Sequence, residues 1–314
     1  MSKTLALVFP GQGSQSVGML AELAGAWPVV REAFEEASDG AGMDLWRLSQ
    51  EGPEERLNQT ECTQPALLAA DVAVWRVWQH CGGPRPAVLG GHSLGEYAAL
   101  VAAGALSLAD GARLVRERGR LMQAAVPAGA GAMAAVLGAE DQDVEAVCAA
   151  VAAPEVAVPA NYNAPGQIVI GGTAAGVDAA LAALAARGVR KAVRLAVSVP
   201  SHTPLMREAA RRLEAVLDEV HWSEPELPVV RNVDGALHEG LASIRAALVA
   251  QLHQPVRWVD GVRTLAARGV TAVGECGPGK VLTGLVKRID RQLDARALGT
   301  PAELEAALEA WSTP

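Results

Sequence analysis

Ser93 lies between two glycines in Gly91-His92-Ser93-Leu94-Gly95, after the apolar run 87–89 and ahead of an alanine-rich helical pattern. Strand, Gly-x-Ser-x-Gly, helix is the order of a nucleophile elbow. The glycines leave room for a sharp turn that lifts the serine hydroxyl clear of the backbone, and peptide N–H groups at the helix start face a developing oxyanion. The chemistry this suggests is acyl transfer through a serine ester. A serine capping a tight turn would leave the same residues, but the strand before and the helix after favour catalysis.

Such a serine needs a base. Of six histidines, His202 has the best setting: in Val199-Pro200-Ser201-His202-Thr203-Pro204 it closes a strand, precedes a helix and is flanked by stiffening prolines. His92 adjoins the nucleophile but points away from it in elbow geometry, and His80, His221, His238 and His253 read as solvated or capping residues. An imidazole with the ordinary pKa of about 6.5 predicts acylation that falls in acid.

The elements that must position these two residues alternate along the chain in α/β order. Strands are expected at 5–9, 87–90, 229–233 and 271–274, and helices at 64–79, 94–103, 107–125, 205–220, 241–252 and 301–311. Pro65 fits a first-turn position, and Ser107 with Asp110 reads as an N-cap followed by an acidic first turn. Between Pro127 and Pro200 the pattern changes. Strand 131–137, helix 141–152, strands 156–161 and 167–171, helix 174–186 and strand 189–196 run β-α-β-β-α-β, the ferredoxin-like order. The expected architecture is an α/β-hydrolase-like core, residues 1–126 and 197–314, interrupted by a ferredoxin-like subdomain at 127–196, with the active site in the cleft between them.

Composition narrows the class. With 314 residues, 50% hydrophobic and 20% charged, the chain can bury a large core. Only 4% aromatic residues and a net charge of −8 argue against nucleic acid as a partner. Cys62, Cys81, Cys148 and Cys276 show no paired spacing, which predicts reduced thiols, no zinc site and a cytoplasmic location. No signal peptide is read in Met1-Ser2-Lys3-Thr4 and the short apolar run after it. The longest apolar run, 98–106, falls far short of the roughly 20 residues of a membrane span. Gly274-Glu275-Cys276-Gly277-Pro278-Gly279-Lys280 imitates a phosphate loop, but Val281 stands where Ser or Thr would hold magnesium. Gly11-Gln12-Gly13 imitates a dinucleotide turn without its third glycine in place.

A set of ordered motifs then carries a resemblance. Phe9-Pro10-Gly11-Gln12-Gly13-Ser14-Gln15, Thr63-Gln64-Pro65-Ala66, Gly91-His92-Ser93-Leu94-Gly95-Glu96-Tyr97, Arg118-Gly119-Arg120-Leu121-Met122, Gly131-Ala132-Met133-Ala134-Ala135, Asn161-Tyr162-Asn163, Pro200-Ser201-His202 and Gly277-Pro278-Gly279-Lys280 occur in this order. Together they resemble the malonyl-CoA:acyl carrier protein transacylases, stand-alone enzymes of bacterial type II fatty acid synthesis, nearly end to end. The resemblance implies Ser93 as nucleophile, His202 as base, and the backbone carbonyl of Gln251 orienting the imidazole in place of a carboxylate. It implies an oxyanion hole from the N–H groups of Gln12 and Leu94, and Arg118 as anchor of the malonyl carboxylate, a role suited to a planar, always charged fork. Met122 and Met133 would wall the pocket, and Asn161 and Asn163 would touch the pantetheine arm.

The implied reaction is ping-pong, with malonyl-CoA as donor and the phosphopantetheine of acyl carrier protein as acceptor, and without metal or tightly held cofactor. Arg190, Lys191, Lys287 and Arg288 are candidates to meet the acidic carrier protein. Two other readings share the elbow. A loading transferase of a polyketide pathway would differ in its carrier protein. A serine hydrolase would put water in the acceptor role and leave Arg118 without a purpose.

Overall fold

The computed structural model describes residues 3–197 and 199–312. Met1 and Ser2, on which the signal-peptide reading partly rests, and Ser198, Thr313 and Pro314 lie outside the described residues.

Nine strands, β1 (Leu5–Phe9), β2 (Val88–Gly91), β3 (Gly131–Leu137), β4 (Ala157–Ala164), β5 (Gln167–Thr173), β6 (Lys191–Arg194), β7 (Val229–Val230), β8 (Ala272–Glu275) and β9 (Asp294–Ala297), form two sheets among these residues. The first is parallel, in the order β7-β2-β1-β8-β9. Its central strand explains why residues 5–9 are apolar throughout. Leu5, Leu7 and Phe9 face a core shared with the helices Thr60–His80, Leu94–Ala102 and Leu108–Ala124, while Ala6 and Val8 face a second core shared with the helices Trp258–Ala267 and Val281–Ile289. Side chains alternate across a strand, so one covered on both faces must be apolar at every position.

The second sheet is antiparallel, in the order β4-β5-β3-β6. Its elements run β3, helix Asp141–Ala149, β4, β5, helix Ala174–Ala186, β6. Ala132, Ala134, Val136, Ile168 and Ile170 pack with Val144, Val147, Val177 and Leu184 of the two helices. Met133, Ala160 and Val169 form a separate small cluster with Val197. The outer edge of β4 is tied to the loop after Gln251: Tyr162 N–H donates to the Val256 carbonyl and Val256 N–H to the Ala160 carbonyl, each at 2.9 Å. This splice brings the second sheet against the end of the first.

Several boundaries differ from expectation for local reasons. The strand expected at 229–233 stops at Val230, because Arg231 and Asp234 close a turn through an ion pair at 2.7 Å and a Gly235 N–H to Arg231 carbonyl bond at 3.1 Å. The helix expected from 64 begins at Thr60, so Pro65 lies inside it, one turn beyond the first-turn position assigned to it. Thr63 Oγ1 anchors the true first turn through the carbonyls of Leu57 and Gln59. Ser107 does cap its helix, accepting from Asp110 N–H at 3.0 Å.

Gly95 sits where the helix after Ser93 crosses β1, and a Cβ there would lie 1.9 Å from the Phe9 carbonyl oxygen. Because both partners are backbone, the clash has no side chain to absorb it. Gly95→Ala should therefore cost about 3 kcal/mol or more, the upper part of the overpacking range, and lower the melting temperature by several degrees; an unchanged melting curve would contradict this packing.

Candidate active site

β2 ends at Gly91, the helix Leu94–Ala102 begins one residue after Ser93, and Ser93 itself takes φ 53° and ψ −106°. A non-glycine residue at positive φ stores strain and persists only where its surroundings over-determine it. Gly91 shows the crowding, since a Cβ there would lie 2.0 Å from the Gly95 carbonyl. Leu94, as the first helical residue, has an N–H with no intrahelical acceptor, at the positive end of the helix dipole.

Ser93 Oγ stands 2.8 Å from His202 Nε2, and His202 Nδ1 lies 2.7 Å from the Gln251 carbonyl oxygen. The carbonyl can only accept, so the proton belongs on Nδ1, and Nε2 offers its lone pair to the serine hydroxyl. His202 also has positive φ, 62°, and its N–H donates to the Leu252 carbonyl at 2.9 Å. The imidazole is 3% exposed. Burial, with the positive charge of Arg118 second, pushes its pKa down to about 3. The ordinary imidazole value expected from sequence is thereby corrected, because desolvation disfavours the imidazolium.

Arg118, in the helix Leu108–Ala124, is buried. Nη1 donates to Gln64 Oε1 and Nη2 to Gln251 Oε1, both at 2.8 Å, and Nη2 reaches Ser93 Oγ at 3.3 Å. The guanidinium lies 5.3 Å from the Tyr97 ring centroid, and its Nε has no hydrogen-bond partner. Every direct partner is neutral. Buried arginines ordinarily meet a carboxylate; this one stands beside the serine with none in direct contact.

A cavity of about 480 Å³ opens over these groups, lined by Gln12, Ser93, Leu94, Arg118, Met122, Met133, Asn161 and His202 among others. Asn163 is not in that lining: its Oδ1 lies 2.8 Å from Nε2 of His92, a lining residue whose ring stands 5.7 Å from Trp258. Gln251 is also absent from the lining and stands behind Arg118 and His202.

A buried network behind the elbow escaped the sequence reading. Asn232 Oδ1 accepts from Ser93 N–H at 2.6 Å, and its Nδ2 donates to the Gly91 carbonyl at 2.7 Å. Glu96 accepts from Asn232 N–H, from Gln251 Nε2 and from His238 Nε2, at 3.0, 2.7 and 2.9 Å. The His238 side chain is fully buried rather than solvated or capping as expected, because the buried Glu96 carboxylate pairs with its Nε2. The signal available was Glu96 itself, a charged residue set into the otherwise apolar helix that follows the nucleophile.

The phosphate-loop imitation is occupied by its own side chain. Glu275 accepts from the N–H groups of Leu282 and Thr283, at 3.0 and 2.7 Å, filling the helix N-terminus where an anion would sit. No group of three or more His, Cys, Asp or Glu among the described residues is arranged to hold a metal, and no described helix is long and apolar enough to cross a membrane.

An elbow serine bonded to a histidine, with a buried cation beside it, is an arrangement suited to acyl transfer, and the comparisons with known proteins agree. Residues 6–302 match the acyl transferase domain family. The malonyl CoA-acyl carrier protein transacylase of Salmonella typhimurium is 54% identical over 96% of this chain and 98% of its own length, and that of Bacillus subtilis is 44% identical over 98% and 97%. Among solved structures, the malonyl-CoA:acyl carrier protein transacylase of Xanthomonas oryzae superposes with a TM-score of 0.97 at 66% identity, covering 99% of each chain. A malonyl-transacylase in complex with a type II polyketide synthase acyl-carrier protein superposes with a TM-score of 0.95 at 51% identity, covering 98% of this chain and 99% of its own. The chain belongs to the acyl transferase family, and within it to the malonyl CoA-acyl carrier protein transacylases.

Because His202 stays neutral down to about pH 3, the single-turnover acylation rate should be flat from pH 8 to 5, with no titration near the ordinary imidazole value of about 6.5. The linkage runs the same way. Between those two values the unfolded chain binds a proton that the native state does not, so the stability contributed by His202 is lost as pH falls through that window. A rate profile with its midpoint near 6.5 would contradict the buried, neutral imidazole.

Proposed function

We propose that the protein moves the malonyl group from malonyl-CoA to the phosphopantetheine thiol of an acyl carrier protein through an ester on Ser93. Ser93 Oγ attacks the thioester carbonyl while His202 Nε2 takes its proton. The oxyanion is received by the N–H groups of Gln12 and Leu94. The carbon–sulfur bond breaks, and His202 returns the proton to the departing coenzyme A thiol. The carrier thiol then attacks the ester by the same steps in reverse, which leaves Ser93 free.

The observation that carries this reading is the buried, carboxylate-free Arg118 at 3.3 Å from the nucleophile. A neutral acyl group would leave it desolvated and uncompensated; a malonyl carboxylate completes it. The arriving anion also offsets the Arg118 charge beside His202, while burial, the larger cause of its low pKa, remains. The proposed chemistry calls for no metal and no tightly held cofactor, and the use of malonyl-CoA and acyl carrier protein supports a cytoplasmic enzyme. Met122, Met133 and Asn161 wall the acyl and pantetheine path, whereas Asn163 acts through His92. Arg190, Lys191, Lys287 and Arg288 are offered to the carrier protein, with Arg288 donating to Gln167 at 2.6 Å.

The same proposal assigns residues 1–126 and 197–314 to an α/β-hydrolase-like core and 127–196 to an inserted ferredoxin-like subdomain. The elbow at the end of a parallel sheet, and the β4-β5-β3-β6 order with two helices on one face, support it. The similarity to the transacylase complexed with a polyketide carrier protein favours a second reading in which the acceptor belongs to polyketide synthesis. Chemistry at Ser93 is the same in both.

Brief exposure to malonyl-CoA should add one malonyl group to the intact protein, mapped to Ser93 and absent from Ser93→Ala; label on a cysteine, or on the variant, would overturn the nucleophile. Arg118→Ala should lower kcat/KM for malonyl-CoA by at least about 10²-fold and abolish the preference over acetyl-CoA. Parallel loss of both activities with a lowered melting temperature would instead make Arg118 a structural residue.

A further inference from the structure

We infer that Asn232 is a positioning residue for acyl transfer, one that locks the backbone of the nucleophile elbow. The inference rests on the transfer through Ser93 proposed above. Its carboxamide spans the turn like an added strand, with Oδ1 accepting from Ser93 N–H and Nδ2 donating to the Gly91 carbonyl. The Gly91 carbonyl lies at the buried end of β2 and the Ser93 N–H in the turn beyond it, and this one side chain pairs both.

The bridge answers two problems set by the elbow. Ser93 is held at φ 53°, a strained conformation for a residue with a side chain, which persists only where its surroundings over-determine it. Asn232 also engages the N–H of Ser93, while Leu94, whose N–H the proposed transfer assigns to the oxyanion, lines the cavity. Asn232 is fixed in turn by the donation of its own N–H to Glu96 Oε2. Its position two residues after Val230, the end of β7, lies within the turn closed by Arg231 and Asp234.

Asn232 touches neither His202 nor Arg118, so its effect separates from theirs. Arg118 is held by Gln64 and Gln251, and the imidazole by the Gln251 carbonyl. Loss of Asn232 should therefore slow attack by Ser93 on any acyl-CoA and leave the choice between malonyl and acetyl groups alone.

The test is the single-turnover acylation rate constant of Asn232→Ala and Asn232→Asp with malonyl-CoA and acetyl-CoA, together with KM and melting temperature. A rate constant is independent of how much protein is folded, so a structural defect does not imitate a slower attack. Asp keeps the acceptor for Ser93 N–H but, while ionised, cannot donate to Gly91, so the two variants separate the two halves of the bridge, and the melting temperature reports whether each is folded. The expected result is a fall of about 10²-fold in Asn232→Ala with both thioesters, a smaller fall in Asn232→Asp, an unchanged malonyl-to-acetyl ratio and an unchanged KM. Wild-type rates in either folded variant, or a collapse of the ratio, would overturn the role. Wild-type enzyme that fails to acquire malonyl on Ser93 would instead refute the transfer reading itself.

Discussion

A guanidinium enclosed with only amides, a hydroxyl and an aromatic face around it is the constraint that the rest of the site accommodates. Arg118 cannot lose its charge under physiological conditions, and burial makes an uncompensated charge costly. The chain meets that cost with two glutamines, Gln64 and Gln251, rather than with a carboxylate in contact. A direct Asp or Glu partner would occupy the place a substrate carboxylate needs. Glu96 stands one amide further back, bonded to Gln251 Nε2, so negative charge is present in the network without reaching the pocket.

Gln251 is the residue through which these demands meet. Its side chain joins Arg118 to Glu96, its Nε2 also donates to the Ser93 carbonyl at 3.0 Å, and its backbone carbonyl fixes the tautomer of His202. A neutral carbonyl suits that position beside a cation. Its hydrogen bond orients the imidazole and favours the protonated form, but it brings no negative charge, and burial first and the arginine second outweigh it. Around this centre the backbone is crowded to contact: Ser93 and His202 both take positive φ, and the splice between β4 and Val256 closes the second sheet over the end of the first.

Much of this was legible where local pattern and chemistry coincide. The apolar run before Gly91 and the helix after Gly95 mark the turn that presents Ser93, and prolines around His202 mark a stiff loop. The alternation of elements between 131 and 194 recurs as the second sheet because each carries its own period. Other parts were hidden for physical reasons. β9 is an edge strand of four residues, Asp294–Ala297, with only two alanines facing inward. The helix Val29–Ala41 did carry a signal, since Val30, Ala33, Phe34, Ala37 and Ala41 recur at helical spacing and are all buried. Asn232 and His238 left none: a polar residue after a two-residue strand reads as a turn, and only the burial of Glu96 across 142 positions of sequence gives His238 its place. The depressed pKa of His202 is likewise a property of enclosure, which residue type alone does not disclose.

The central claim is that Arg118 is kept without a carboxylate so that the substrate supplies one. It is tested most directly by equilibrium binding to Ser93→Ala, where no ester can form and affinity reports only the docked acyl group. Calorimetric titration should show malonyl-CoA bound more tightly than acetyl-CoA by at least about tenfold, a difference of about 1.4 kcal/mol, and Arg118→Ala in the same background should erase it. Equal affinity for the two thioesters with Arg118 intact would contradict the account.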